Sequence, residues 1–112
     1  MKKDKAYIKT EKLLYTYPAL KRALEHKDSN NTVLAERVIK MIDDAIDQIS
    51  DDIYADVIPR LYFDRETIEN IAFDHEVSPT TIGANRKRLI HQLKVYLYTD
   101  DVMDDLLPKK EC

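Results

Sequence analysis

A chain with a single glycine, Gly83, has few means of making the tight turns that β-hairpins need. Strong helix formers fill most of the remaining positions, and only four prolines interrupt them. The expected fold class is therefore all-α. With 112 residues there is material for one domain with its own core. Charged residues make up 35% of the chain, but 44% is apolar, which is enough to fold.

Apolar spacing divides the chain. Residues 5–27 are helical in pattern, with Tyr7, Ile8, Leu13, Leu14, Tyr17, Leu20 and Leu24 as apolar positions. Tyr17-Pro18 is expected to split them, because a residue before proline avoids the helical region and Pro18 suits a first turn. Ser29 to Thr32 reads as a loop and helix cap. From Thr32 to Ile49 the positions Leu34, Val38, Met41, Ile42, Ala45, Ile46 and Ile49 recur at three- and four-residue spacing. This broad stripe suits internal packing, a dimer seam or both. Pro59, inside the apolar stretch 53–63, is expected to kink or restart a helix. The expected division is an N-terminal packing or dimerisation part over 5–50, a second helical part over 51–98 and an acidic tail over 99–112.

Residues 67–98 carry the densest local signals. Thr67 is placed to cap a short helix whose inner face is Ile68, Ile71 and Ala72. Val77 plugs a turn, Ser78 caps a second helix, and Pro79 stands at its first position, where a missing N–H costs nothing. At about 100° per residue, Ile82, Leu89, Leu93 and Tyr96 fall on one inner stripe. Thr80, Gly83, Ala84, Lys87, His91 and Lys94 fall opposite, with Arg88 at the edge. That outer face is small first and cationic later. Small residues let a helix backbone sit deep in a DNA major groove, while lysine and arginine reach base edges or phosphates. An antiparallel packing hairpin with a solvated basic face has the same periodicity. Against it stand the cap, the proline, the small patch and the absence of acids from 79–99, all in one helix.

The net charge of −3 hides a strong asymmetry. Residues 1–27 hold eight Lys/Arg against three acids, and residues 28–77 hold four against thirteen. Phosphate attraction is screened within about 8–10 Å, so a local basic stripe counts for more than the total. The acidic face of Asp43, Asp44, Asp47, Asp51 and Asp52 lacks the glycine-centred loop of a calcium site, so it reads as solvated surface or a contact for a basic partner. His75-Glu76 is no zinc-protease motif, because Pro79 stands where the second histidine belongs. No catalytic set, metal site or cofactor motif is recognised, so no enzyme is expected. The lone Cys112 fits a reducing compartment. No apolar signal core follows Met1-Lys2-Lys3-Asp4-Lys5, and no apolar run suits a membrane span. A cytoplasmic location in a bacterial host is expected, with no membrane partner.

The series Thr67-Ile68-Glu69-Asn70-Ile71-Ala72…Val77-Ser78-Pro79-Thr80-Thr81-Ile82, preceded by Leu61-Tyr62-Phe63-Asp64, resembles region 4 of sigma factors. The short chain and its Leu14…Tyr17-Pro18…Lys21 segment are similar to ArpU/RinA-type phage late-gene transcription regulators. The sigma-like part covers about 55–98. The resemblance implies a helix-turn-helix regulator that binds double-stranded DNA upstream of phage or prophage late genes and engages host RNA polymerase. Thr80, Gly83, Ala84, Lys87 and Asn85 are the candidate groove contacts. Arg86, Arg88, His91 and Lys94 are the candidate phosphate contacts. A homodimer is a further expected partner state, since one recognition helix buries a modest interface. Two rival expectations are a polymerase-binding adaptor with weak DNA contact and a small terminase-type DNA-packaging subunit.

Three positions depart from the sigma pattern. Asn70 replaces the glutamate of a capping box, and Glu76 takes the turn position usually given to glycine. Arg86 falls on the inner stripe, where snorkelling or pairing with Asp64, Glu66 or Glu69 is expected.

Overall fold

The computed structural model describes residues 5–26 and 32–97, and every regular element among them is helical. Expectations for Ser29 to Asn31, for the acidic tail 99–112 and for Cys112 fall outside the described residues. The elements are α1 (Lys5–His26), α2 (Thr32–Gln48), a π-helical turn (Pro59–Phe63), α3 (Ile68–His75) and α4 (Pro79–Leu97).

α1 corrects the expected break at Tyr17-Pro18: the helix runs through Pro18 without dividing. A proline inside a helix forfeits one backbone bond and crowds the preceding turn. Here contacts from other elements hold both halves on one course. Leu13 and Leu14 enter the core before the proline, and Leu20 packs against it afterwards. Between them Tyr17 stacks on Phe63, with ring centroids 4.4 Å apart, and its hydroxyl donates to Asp43 of α2 at 2.6 Å. Burial and the Asp43 carboxylate push the Tyr17 hydroxyl pKa up to about 12, so this tie between α1 and α2 persists through neutral pH.

α2 ends at Gln48. Ile49 to Ile58 then advance by short-range backbone bonds, among them Asp52 N–H to the Ile49 carbonyl and Ala55 N–H to the Asp52 carbonyl. Pro59 restarts the helix at its first turn, where its missing N–H is harmless. The five residues from Pro59 to Phe63 are wound wider than an α-helix, closed by Asp64 N–H donating to the Pro59 carbonyl at 3.0 Å. Arg60 then fastens this turn to α3 and the segment that leads into it. Its guanidinium bonds both Glu66 oxygens, at 2.8 and 3.0 Å, and also reaches Asp56 and Asp74. That guanidinium holds the Glu66 carboxyl below the usual range. Asp56 in turn lies 3.0 Å from His75 Nε2.

Two apolar clusters result. The larger takes Leu13 and Leu14 from α1, Val38, Ile42 and Ala45 from α2, Ile49 and Ile58 from the connecting stretch, Tyr62 from the π-helical turn, and Leu89, Ile90, Leu93 and Leu97 from α4. The smaller joins Val57, Ile71, Ala72 and Ile82, with Ile68 and Val77 packed against it. Tyr54 and Leu61 touch both. The parts 5–50 and 51–98 therefore share one core, with α4 running through both clusters.

One polar group lies at the centre of this packing. Tyr62 is fully buried, and its hydroxyl donates to Glu11 of α1 at 2.6 Å. Burial and that bond both push the phenol pKa upward, so Tyr62 is neutral and donating. A hydrogen bond to a charged acceptor contributes about 1.5–3 kcal/mol. Tyr62→Phe should therefore lower unfolding free energy by about that amount in urea denaturation, with an unchanged helical circular-dichroism spectrum.

Candidate nucleic-acid interface

Local chemistry builds the α3–turn–α4 unit as its sequence predicts. Thr67 caps α3, accepting from Asn70 N–H at 3.0 Å. Asn70, in the place of a capping-box glutamate, instead donates its side-chain amide to Glu66 at 2.8 Å. Glu76 adopts the left-handed conformation (φ 59°, ψ 42°), and its N–H caps the Ala72 and Phe73 carbonyls. The position usually given to glycine thus keeps its geometry with a side chain, at a strain of about 1–2 kcal/mol. Ser78 accepts from Thr81 N–H at 3.2 Å, and Pro79 opens α4.

The inner face of α4 is turned relative to the expected stripe. Ile82, Leu89 and Leu93 are fully buried as predicted, but Tyr96 is 44% exposed. Ile90 and Leu97 are buried in its place. The helix is rolled toward α1, which brings Arg86 under Glu11.

Thr80, Ala84 and Lys87 are exposed on the outer face, beside half-buried Gly83. A Cβ built on Gly83 would meet nothing within 4 Å, so no packing inside the chain demands glycine there. Lys87 has no ion-pair or hydrogen-bond partner among the described residues. His91 is exposed, its ring 5.0 Å from that of Tyr7, and Lys94 is half-buried.

Three candidates are engaged otherwise. Arg86, expected at a phosphate, points inward to Glu11, with Nη1 3.8 Å from the carboxylate. Its partner is none of Asp64, Glu66 and Glu69, the acids near in sequence. Its buried Nε has no hydrogen-bond partner among the described residues. Asn85, expected at a base, donates to the Thr81 carbonyl at 2.9 Å and accepts from Arg88 at 2.9 and 3.1 Å. Arg88, also expected at a phosphate, forms a two-pronged pair with Asp52 at 2.8 and 3.0 Å. Asp52 additionally accepts from Tyr54 N–H at 2.9 Å. Asp52 lies 36 residues from Arg88 in an acidic stretch that offers several equivalent carboxylates, so no local pattern singles it out.

α3 contributes a residue that its periodicity implies but no motif marks. With Ile68, Ile71 and Ala72 inside, Phe73 must face out, and it is 81% exposed. Among the described residues no three His, Cys, Asp or Glu side chains are placed to hold a metal ion, and no helix is long and apolar enough to cross a membrane. No protein-family model, curated protein or solved structure matches the chain.

The Asp52–Arg88 pair gives a pH-linked expectation. Arg88 first, then Tyr54 N–H, holds the Asp52 carboxyl below its ordinary value. A depressed folded pKa stabilises above the unfolded value, about 3.9, and that contribution fades as pH falls through the folded one. Both side chains keep solvent contact, so screening limits the coupling to about 0.5–1 kcal/mol. A double-mutant cycle of Asp52→Asn and Arg88→Gln should give that coupling at pH 7 and none near pH 2, measured by urea unfolding.

Proposed function

We propose that the protein is a sequence-specific double-stranded DNA-binding regulator of transcription that reads the major groove with α4. The carrying observation is the outer face of α4. A capped N-terminus is followed by Thr80, Gly83, Ala84 and Lys87, facing away from the core with no bulky side chain among the first three. Such a face suits close backbone approach to base edges, with Lys87 long enough to bond guanine O6 and N7. Gly83 supports the reading specifically. It costs a helix about 1 kcal/mol relative to alanine, yet no internal contact requires it. A partner that needs the helix backbone close by accounts for that cost. By the sequence resemblance, the genes controlled are late genes of a phage or prophage, and a homodimer supplies the second half-site.

A second reading is favoured by Phe73. This exposed ring lies on α3 with Glu69 four residues before it and Glu76 three residues after it. An apolar anchor among carboxylates fits a basic protein surface, as the adaptor reading with RNA polymerase requires.

Selection from a random-sequence duplex library tests the first reading. Wild-type protein should enrich a defined sequence with salt-dependent affinity, and Lys87→Ala should relax preference at one or two positions. Gly83→Ala should raise unfolding free energy by about 1 kcal/mol while weakening binding, since its methyl group enters the gap to the bases. Wild-type protein that enriches nothing and shows no salt-dependent affinity would make the reading wrong.

A further inference from the structure

The inward turn of Arg86 and the pairing of Arg88 with Asp52 leave α4 with fewer cations for a phosphate backbone than its sequence suggests. α1 lies alongside. Tyr7 meets His91 and Glu11 meets Arg86, so the two helices run antiparallel past one another. Lys5, Lys9 and Lys12 stand within two residues of those contacts, and all three are exposed. Four- and three-residue spacing puts them on one face of α1. None of the three ammonium groups has an ion-pair or hydrogen-bond partner among the described residues.

As a solvated surface this arrangement is unfavourable to α1. Like charges at three- and four-residue spacing repel. Lys5, in the first turn, also opposes the helix dipole, and that turn carries no acid to offset it. An anionic partner removes both penalties at once.

We infer that α1 is a second DNA-contacting element, in which Lys5, Lys9 and Lys12 bind the sugar–phosphate backbone beside the groove that α4 enters. The inference rests on the DNA-binding reading above. Seven residues of helix span about 10 Å. Phosphates recur every 3.4 Å of duplex axis on each strand, so about three lie within that reach. These contacts hold position and carry no sequence information, leaving discrimination to Lys87 and the small face of α4.

The experiment compares full-length wild type with Lys5→Gln/Lys9→Gln/Lys12→Gln on a mixed-sequence duplex of about 30 base pairs, long enough for a complete non-specific site. Fluorescence anisotropy over a salt series gives the slope of log affinity against log salt. A charge-matched control carries Lys21→Gln/Arg22→Gln/Arg37→Gln, and circular dichroism verifies that both variants are folded. Each lost phosphate contact removes about 0.9 from the slope, so the α1 variant should lose about 2.7 and the control less than about 1. Wild-type binding with an unchanged slope in the α1 variant overturns the inference and leaves the DNA-binding reading standing. An equal loss in the control overturns it too, by assigning the effect to net charge. Absence of salt-dependent binding by the wild type overturns both readings together.

Discussion

The Glu11 carboxylate is the polar group on which the arrangement of helices depends. It accepts the buried Tyr62 hydroxyl from the π-helical turn and faces the Arg86 guanidinium from α4, so three elements meet at one side chain of α1. Without it, a buried phenol lacks its acceptor and a half-buried guanidinium lacks a counter-charge, each a costly state. Pairing at Glu11 goes together with the roll of α4 that its five buried apolar side chains define. With Arg86 turned toward α1, Ile90 and Leu97 enter the core and Tyr96 leaves it. The same roll decides which residues face solvent on the opposite side. The placement of Thr80, Ala84 and Lys87 is thus tied to the packing on the far face of the helix.

Much of the short-range chemistry was legible in the sequence. The Thr67 and Ser78 caps, Pro79 at the first turn and the stripe of α2 all depend on neighbours within four residues or on helical period, whereas the sequence did not fix whether Glu76 takes a left-handed conformation or the turn is longer. Features set by distant residues were not legible. Pro18 sits within a continuous helix because Phe63 and Asp43 hold Tyr17 beside it. Arg86 finds Glu11, 75 positions away, in preference to the acids near it in sequence. The roll of α4 moved Tyr96 out and Leu97 in, a rotation that a stripe drawn through Ile82, Leu89 and Leu93 leaves undetermined. Within the candidate site, the small outer face was readable from period alone. The occupation of Arg86, Asn85 and Arg88 was not, because each partner is fixed by the tertiary fold or by a rotamer choice.

Charge is redistributed by folding in a way that net values conceal. Five of the thirteen acids in 28–77 are turned to structural use: Asp43 holds Tyr17, Asp52 holds Arg88, and Asp56, Glu66 and Asp74 gather around Arg60. The cations that remain without a carboxylate partner include Lys87 on α4 and the lysines of α1. A chain of negative total charge therefore presents positive groups on two neighbouring helices, while many of its acids are neutralised at short range or set on other faces.

The Asp52–Arg88 pair bears directly on how α4 would meet a polyanion. Asp52 alone, at the edge of the outer face, would repel a phosphate backbone. With two hydrogen bonds from Arg88 the local charge is close to zero, and Arg88 is held to Asn85 on its own helix as well. The edge of the face is then neutral and held by hydrogen bonds, not cationic and unpaired. A rigid surface loses less side-chain entropy on binding and tolerates fewer alternative registers. Attraction from Lys87 and the α1 lysines lies to one side of this edge, so the field across the face is directional. If the outer face meets DNA as proposed, that asymmetry would favour one orientation of the helix against a duplex before any base is contacted.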